Sequence, residues 1–258
     1  MSDITLTVLG CGSSSGAPVI GCTCAVCTGG HPKNRRSRCS AWLHTDDAHI
    51  VIDTGTDFRA QALREQIPRV DAVLYTHPHA DHLNGIDDLR AFCFRQKSAI
   101  DIYGSAFTIE NICRRFDYAF LPPSRHWNRP VLSAHTLSGS PENICGLEVQ
   151  HFELPHGHWR STVYRIGNIA WLTDINHIDA GCLNALQGLD YLFLDCLMET
   201  AYPSHLGMAE AFAFAQNINA RQTYLIHMTH QLDYDELARR CPPRIAPAYD
   251  GLRVSISL

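Results

Sequence analysis

The sequence predicts an α/β layered domain, and three observations carry that expectation. Strand-period and helix-like segments alternate along the whole chain. One run, 70–75, is apolar and β-rich enough to be buried on both faces. Hydrophobic residues make up 45% of the 258 positions and charged ones 18%, which fits a folded globular chain and excludes a disordered one.

The elements follow in order. Residues 4–9 alternate as a strand and stop at a Gly-Ser-rich loop over 10–16. A polar, Gly- and Cys-rich stretch runs to about 40, followed by two strands, 41–44 and 49–52, with a turn at 45–47. A helix is expected over 56–66, with Phe58, Ala62 and Leu63 on one face. Later helices are expected at 86–96, 105–116, 178–187, 207–217 and 233–240. Strands are expected at 100–103, 147–152, 162–166, 168–173, 190–195, 222–226 and 252–258. No linker, low-complexity segment or repeat divides the chain, so one domain over 1–258 is expected. No apolar run is long enough to cross a bilayer, and the first residues lack the pattern of a signal peptide, so a cytoplasmic protein without a membrane partner is expected. A net charge of −5 disfavours nucleic acid as a partner.

Chemistry is concentrated in His and Cys, with 15 and 11 copies. Thr76-His77-Pro78-His79-Ala80-Asp81-His82 places four ligand types directly beyond the apolar strand. His77 and His79 can converge on one ion while Asp81 and His82 address a second, and imidazole with carboxylate suits Zn, Fe or Mn but not Ca. A surface loop with Asp81 capping the next helix is the bland alternative. Cys22, Cys24 and Cys27 put three thiols in one Gly-rich loop, where structural zinc is favoured over a redox pair and requires a fourth ligand.

The H-x-H-x-D-H run resembles the signature of the metallo-β-lactamase superfamily. That resemblance implies an αββα four-layer sandwich with two facing mixed sheets and a binuclear metal site at one edge. It also implies the remaining ligands. His156 in Leu154-Pro155-His156-Gly157-His158 is the better match for the next His, with His158 the fallback. Asp174 closes Ala170-Trp171-Leu172-Thr173-Asp174, and His227 closes Thr223-Tyr224-Leu225-Ile226-His227. The implied arrangement sets His77, His79 and His156 on one Zn or Mn ion and Asp81, His82 and His227 on the other, with Asp174 bridging. Asp53 is expected to orient a ligand or to initiate a turn.

The Cys triad together with His227-x-x-His230 is similar to the PhnP-type cyclic phosphodiesterases of the carbon–phosphorus lyase pathway, over nearly the whole chain. His230 is the proposed fourth ligand of the structural zinc in the loop at about 21–39, and Cys39 is an alternative ligand or a buried hydrophobe. Two ions sharing Asp174 can share a water whose pKa falls towards neutrality, so a metal-bridging hydroxide is the expected nucleophile. The catalytic candidates are Asp81 and His205, the latter as acid for the leaving oxygen or as a plain His before a helix. Ser13 and Ser14 are weaker candidates for substrate contact, alongside His205. Tryptophan–cation pairs at 126–129 and 158–160 fit a stacked base and its phosphate, or ordinary packing.

The expected activity is therefore hydrolysis of a small cyclic or nucleotide-like phosphate ester. Alternatives are a lactone or thioester hydrolase, a tRNA 3′-processing-like nuclease, an iron-dependent oxygenase or a non-catalytic metal-binding module. Beyond the small substrate, the expected partner is at most a second copy in a homodimer.

Overall fold

The computed structural model describes residues 3–257, and these form two seven-stranded mixed sheets with flanking helices. The strands are β1 (Ile4–Gly10), β2 (Ser40–His44), β3 (His49–Ile52), β4 (Ala72–Leu74), β5 (Ile100–Gly104), β6 (Leu132–Thr136), β7 (Glu142–Ile144), β8 (Leu147–His156), β9 (Trp159–Ile166), β10 (Ile169–Leu172), β11 (Tyr191–Asp195), β12 (Gln222–Ile226), β13 (Ile245–Pro247) and β14 (Arg253–Ile256). The α-helices are α1 (Ala25–Thr28), α2 (Phe58–Arg64), α3 (Ala80–Leu83), α4 (Arg90–Gln96), α5 (Ala106–Arg115), α6 (Ala180–Ala185), α7 (Met208–Ile218) and α8 (Tyr234–Arg240).

The first sheet has the order β14-β1-β2-β3-β4-β5-β6 and the second β13-β12-β11-β10-β9-β8-β7. Each sheet is antiparallel from β14 to β3, or from β7 to β10, and parallel beyond. The change of direction matters for function, because ligands in open α/β sheets gather beyond the carboxyl ends of strands where the connectivity switches.

Period-two patterning divides the core. Ile50, Ile52, Ala72 and Leu74 join Val149, Tyr164, Trp171 and Phe193 in one cluster between the sheets. Val51 and Val73 point the other way, onto Phe58, Phe92, Ile109 and Ile112 of α2, α4 and α5. Cys182 and Leu186, with Ala211 and Ala215 of α7, extend the first cluster on the far side of the second sheet. Among the described residues no helix is long and apolar enough to cross a membrane.

Several expected boundaries move. The helix expected from 86 begins as a 3₁₀ turn, Ile86–Leu89, before α4. β8 runs on to His156 and meets β9 across a tight hairpin, with His156 opposite Trp159 and Gly157 at φ 60°. Strands β6, β7 and β13 have no counterpart in the sequence reading. All three are sheet edges, and β6 and β7 expose much of their length, so they lack the apolar alternation that marks a buried strand. The Cys-rich stretch contains α1 and a 3₁₀ turn at Pro32–Asn34, so it is more ordered than the single loop expected there.

Candidate metal centre

Six strand ends deliver the site. Asp53 follows β3, the 76–82 segment follows β4, and His156 ends β8; Asp174 follows β10, Asp195 ends β11 and His227 follows β12. Asp53, Asp174 and His227 have φ of 60°, 56° and 59°, a left-handed conformation that turns the chain sharply as each strand finishes. For residues other than glycine this costs roughly 1 kcal/mol or more apiece, and such strain collects at functional sites. Two glycines allow the loops to interleave: a Cβ on Gly55 would strike the Asp81 carbonyl oxygen, and one on Gly85 the Gly55 carbonyl oxygen.

The first group comprises His77, His79, His156 and Asp174, each offering an atom within 4.8 Å of the others. Thr76 Oγ1 donates to Asp53 Oδ2 at 2.7 Å, which leaves it to accept from His77 Nδ1 at 3.0 Å. His156 Nδ1 donates to the Ser204 carbonyl at 2.9 Å. With those nitrogens taken, His77 Nε2 lies 2.8 Å and His156 Nε2 3.3 Å from His79 Nδ1. One proton cannot serve three converging nitrogens. Ligands of one Zn²⁺ at about 2.0–2.1 Å would stand roughly 2.9–3.4 Å apart, so these spacings fit a cation. Burial pushes His77 well below its ordinary pKa, with His82 adding to the effect, and burial likewise lowers His79 and His156. Neutral imidazoles are the form that binds metal.

The second group is Asp81, His82 and His227. His82 Nδ1 donates to Asp53 Oδ2 at 2.7 Å, turning Nε2 towards Asp174 Oδ2 at 3.1 Å and Asp81 Oδ2 at 3.2 Å. His227 Nε2 lies 3.4 Å from Asp174 Oδ2 and 3.7 Å from Asp81 Oδ2. His82 Nε2 and both nitrogens of His227 are buried and make no hydrogen bond. Such orphaned atoms are costly in a dry site, and a cation would satisfy the two Nε2 atoms. Burial opposes charge on Asp174, yet His227, His82 and His77 hold its carboxyl well below the usual range. Burial also opposes charge on His82, but Asp174, Asp81 and Asp53 together raise its pKa well above normal.

Asp174 connects the groups. Its Oδ1 faces His77 and His156 at 3.8 and 3.6 Å, while Oδ2 faces His82 and His227. Asp53 touches no ion position; it holds His82 and also accepts from Thr76 N at 2.8 Å.

His205 lies in the same pocket, in a tight turn closed by reciprocal backbone bonds with Tyr202. Its ring stacks on His227 at 4.8 Å and Nε2 points to Asp174 Oδ1 at 3.9 Å. Its Nδ1 lies 3.2 Å from Asp195 Oδ1. Burial works against its protonation, but the hydrogen bond and charge of Asp195 prevail and raise its pKa. Asp195, fully buried, was not singled out in the sequence; an Asp ending an apolar strand is too common a signal. It also accepts from Asp174 N at 3.2 Å and Leu206 N at 3.0 Å, so it ties β11 to both neighbouring loops.

Other candidates fall elsewhere. His158 is exposed beyond the hairpin and outside both groups. Ser13 is buried with its hydroxyl 3.4 Å from Ser15 and its backbone N–H donating to the Met228 carbonyl at 3.1 Å, and the Ser14 carbonyl accepts from Arg38, so the Ser13 hydroxyl bonds within its own loop. Cys39 is a buried thiol accepting from Thr173 Oγ1, outside the group formed by Cys22, Cys24 and Cys27.

Cys22, Cys24 and Cys27 meet His230 as a separate group, with Sγ–Nδ1 distances of 3.4, 3.4 and 3.5 Å. A tetrahedral zinc with S and N ligands at about 2.3 and 2.1 Å would separate them by roughly 3.6 Å, so this donor set fits a closed zinc site. His227 and His230 share the short turn after β12, which is clamped by the buried Arg36 donating to the Thr229 and Leu232 carbonyls at 2.9 and 2.6 Å.

A solved structure described as a new diphosphatase from the PhnP family superposes with a TM-score of 0.92 at 36% identity, covering 99% of this chain and 98% of that one. An octanoyltransferase of Porphyromonas gingivalis is 34% identical over 96% of this chain and 51% of its own length. A hydroxyacylglutathione hydrolase of Stenotrophomonas maltophilia is 42% identical over 19% of this chain and 20% of its own. The chain thus spans about half the length of the first curated relative and a fifth of the second. The model of the beta-lactamase superfamily domain matches residues 48–228, the stretch holding every residue of the two His–Asp groups. With that match over most of its length, the chain belongs to the metallo-β-lactamase superfamily of hydrolases and is similar within it to the PhnP family.

Proposed function

We propose that the protein is a binuclear metal-dependent phosphodiesterase of a small cyclic or nucleotide-like phosphate ester. One observation carries the reading: the two oxygens of Asp174 face two separate histidine sets, as a carboxylate shared between two ions must. His77, His79 and His156 would hold one divalent ion, zinc or manganese, and Asp81, His82 and His227 the other, with Asp174 common to both. Ions so placed lower the pKa of water towards neutrality and stabilise charge on phosphoryl oxygens.

The chain's own residues supply the rest. Asp53 and the Ser204 carbonyl fix the tautomers of His82 and His156, keeping Nε2 of each free. Thr76 does the same for His77. His205, whose pKa the hydrogen bond and charge of Asp195 raise against burial, would give its Nε2 proton to the leaving oxygen. The Cys22–Cys24–Cys27–His230 group would hold a structural zinc that braces the turn carrying His227. Likeness to a PhnP-family diphosphatase supports attack at phosphorus.

Hydrolysis of bis(p-nitrophenyl) phosphate by protein loaded with Mn²⁺ or Zn²⁺ tests the reading; no turnover with either metal overturns it. A second reading, cleavage of a lactone or thioester, is favoured by the two relatives named for acyl groups. Thioester and lactone substrates assayed beside the phosphodiester separate the two.

A further inference from the structure

Beside the metal centre lies a cleft of about 560 Å³ lined in part by Phe107, Trp159, Arg160, His158 and Ser105. Two of these are large apolar side chains left open to solvent: Trp159 is 36% and Phe107 50% exposed. They are not scattered. Phe107 meets Trp159 edge-to-face at 5.2 Å, and Trp159 packs against the ring of His79 at 4.7 Å. His79 in turn presents Nδ1 to the His77–His156 group. One imidazole therefore separates the ion positions from an uncovered aromatic wall.

The opposite character of the remaining lining defines the occupant. An alkyl chain would be poorly matched, because Glu153, His151, Thr162 and Ser105 share the cleft with the aromatics. A flat group with polar edges satisfies both halves: its face lies on the indole and its edge meets hydrogen-bonding side chains. Arg160 is 56% exposed; its Nη2 donates to the Glu153 carbonyl and its Nε lies 4.0 Å from Glu153 Oε2, which leaves Nη1 to meet such an edge or a second phosphate.

We infer that Trp159, with Phe107 at its edge, is the stacking platform for a nucleobase carried by the substrate, which makes the preferred substrate class a nucleotide ester. The inference takes the phosphate end of that substrate from the proposed function; the base end rests on the cleft alone.

Binding and turnover separate the two. Zinc-loaded protein is titrated with AMP and with ribose 5-phosphate, following tryptophan fluorescence. AMP should quench it and bind at least tenfold more tightly than the base-free sugar phosphate. Trp159→Leu, which keeps an apolar side chain, should abolish the quench and cut the preference about five- to hundredfold, the loss expected for one base stack. The ratio of kcat/KM for adenosine 2′,3′-cyclic phosphate over glycerol 1,2-cyclic phosphate should fall by a similar factor. Phe107→Leu should lower it less, and circular dichroism with metal content verifies that both variants fold and load. Equal affinity for AMP and ribose 5-phosphate, an unchanged ratio in folded Trp159→Leu, or tighter binding of octanoate than of AMP each overturns the inference. Trp159-dependent preference for AMP without hydrolysis of any phosphodiester would sink the proposed function and leave the base platform standing. Hydrolysis indifferent to the base would do the reverse.

Discussion

Replacing Asp53 by Asn changes one atom in a fully buried carboxylate, at a left-handed φ of 60° that Asn adopts readily. The native carboxylate accepts three hydrogen bonds, from Thr76 N at 2.8 Å, Thr76 Oγ1 at 2.7 Å and His82 Nδ1 at 2.7 Å. The amide oxygen can keep the first. The amide nitrogen then faces two donors, and each mismatched group costs about 1–3 kcal/mol, so a loss of about 2–6 kcal/mol in the metal-free protein is expected. Relief is available if the proton of His82 moves to Nε2, the atom aimed at Asp174 and Asp81. That would withdraw His82 from its ion, and loss of such an orienting partner lowers metal affinity about 10- to 100-fold. Chelator competition followed with a chromogenic indicator measures the affinity, and thermal unfolding with and without zinc measures the stability. The zinc-induced gain in stability should shrink by roughly 1.4–2.7 kcal/mol. If Asp53→Asn binds both ions within twofold of the parent and melts at the same temperature, Asp53 merely starts a turn and the argument about His82 is wrong.

His205→Ala should reduce turnover of bis(p-nitrophenyl) phosphate about 10²- to 10⁴-fold with metal content intact; normal turnover would remove it from the reaction, and lost metal would make it a ligand. His156→Ala should strip metal whereas His158→Ala should not, as read by metal analysis, because only His156 lies in the cluster. Gly85→Ala should destabilise the fold by about 1–3 kcal/mol and weaken metal binding, since its Cβ would push the 53–55 loop from the Asp81–His82 helix; an unchanged melting curve refutes the interleaving. In metal-stripped protein the Cys24 thiol, stabilised as thiolate by the Cys27 backbone N–H and by His230, has its pKa lowered to about 6. Its alkylation rate should fall as pH drops through that value and stay level above it, with added zinc blocking reaction; a rate still climbing at pH 9.0, where an ordinary thiol titrates, contradicts the cluster.

The parts of the site that were legible in the sequence are those where residue type and local pattern coincide. The H-x-H-x-D-H run follows the apolar strand β4, and His156, Asp174 and His227 each close a recognisable strand. The sandwich itself came from the resemblance, since periodicity fixes strands but not their order. Asp195, Thr76 and the Ser204 carbonyl escaped notice because their roles exist only once separate strand ends meet, in contacts such as that of Ser204 with His156, 48 residues away in sequence. The Trp159 wall was visible as a residue next to a cation, but not as one leaning on His79. The edge strands β6 and β7 were missed because their surroundings are half solvent, and half-wet strands carry little apolar signature, whereas the buried β13 is three residues ending in a proline, too short to show a period.

The sharp bends at Asp53, Asp174 and His227 have a bearing on how this protein would respond to selection for robustness. A search for heat-tolerant variants should be drawn to Asp174 and His227, where glycine would relax the main chain. Every such gain would remove the acid or imidazole on which the two ligand groups depend. The same molecule should tolerate wide change around the Trp159 cleft, where no comparable twist has to be maintained, so new specificities are accessible there without loosening the reactive core.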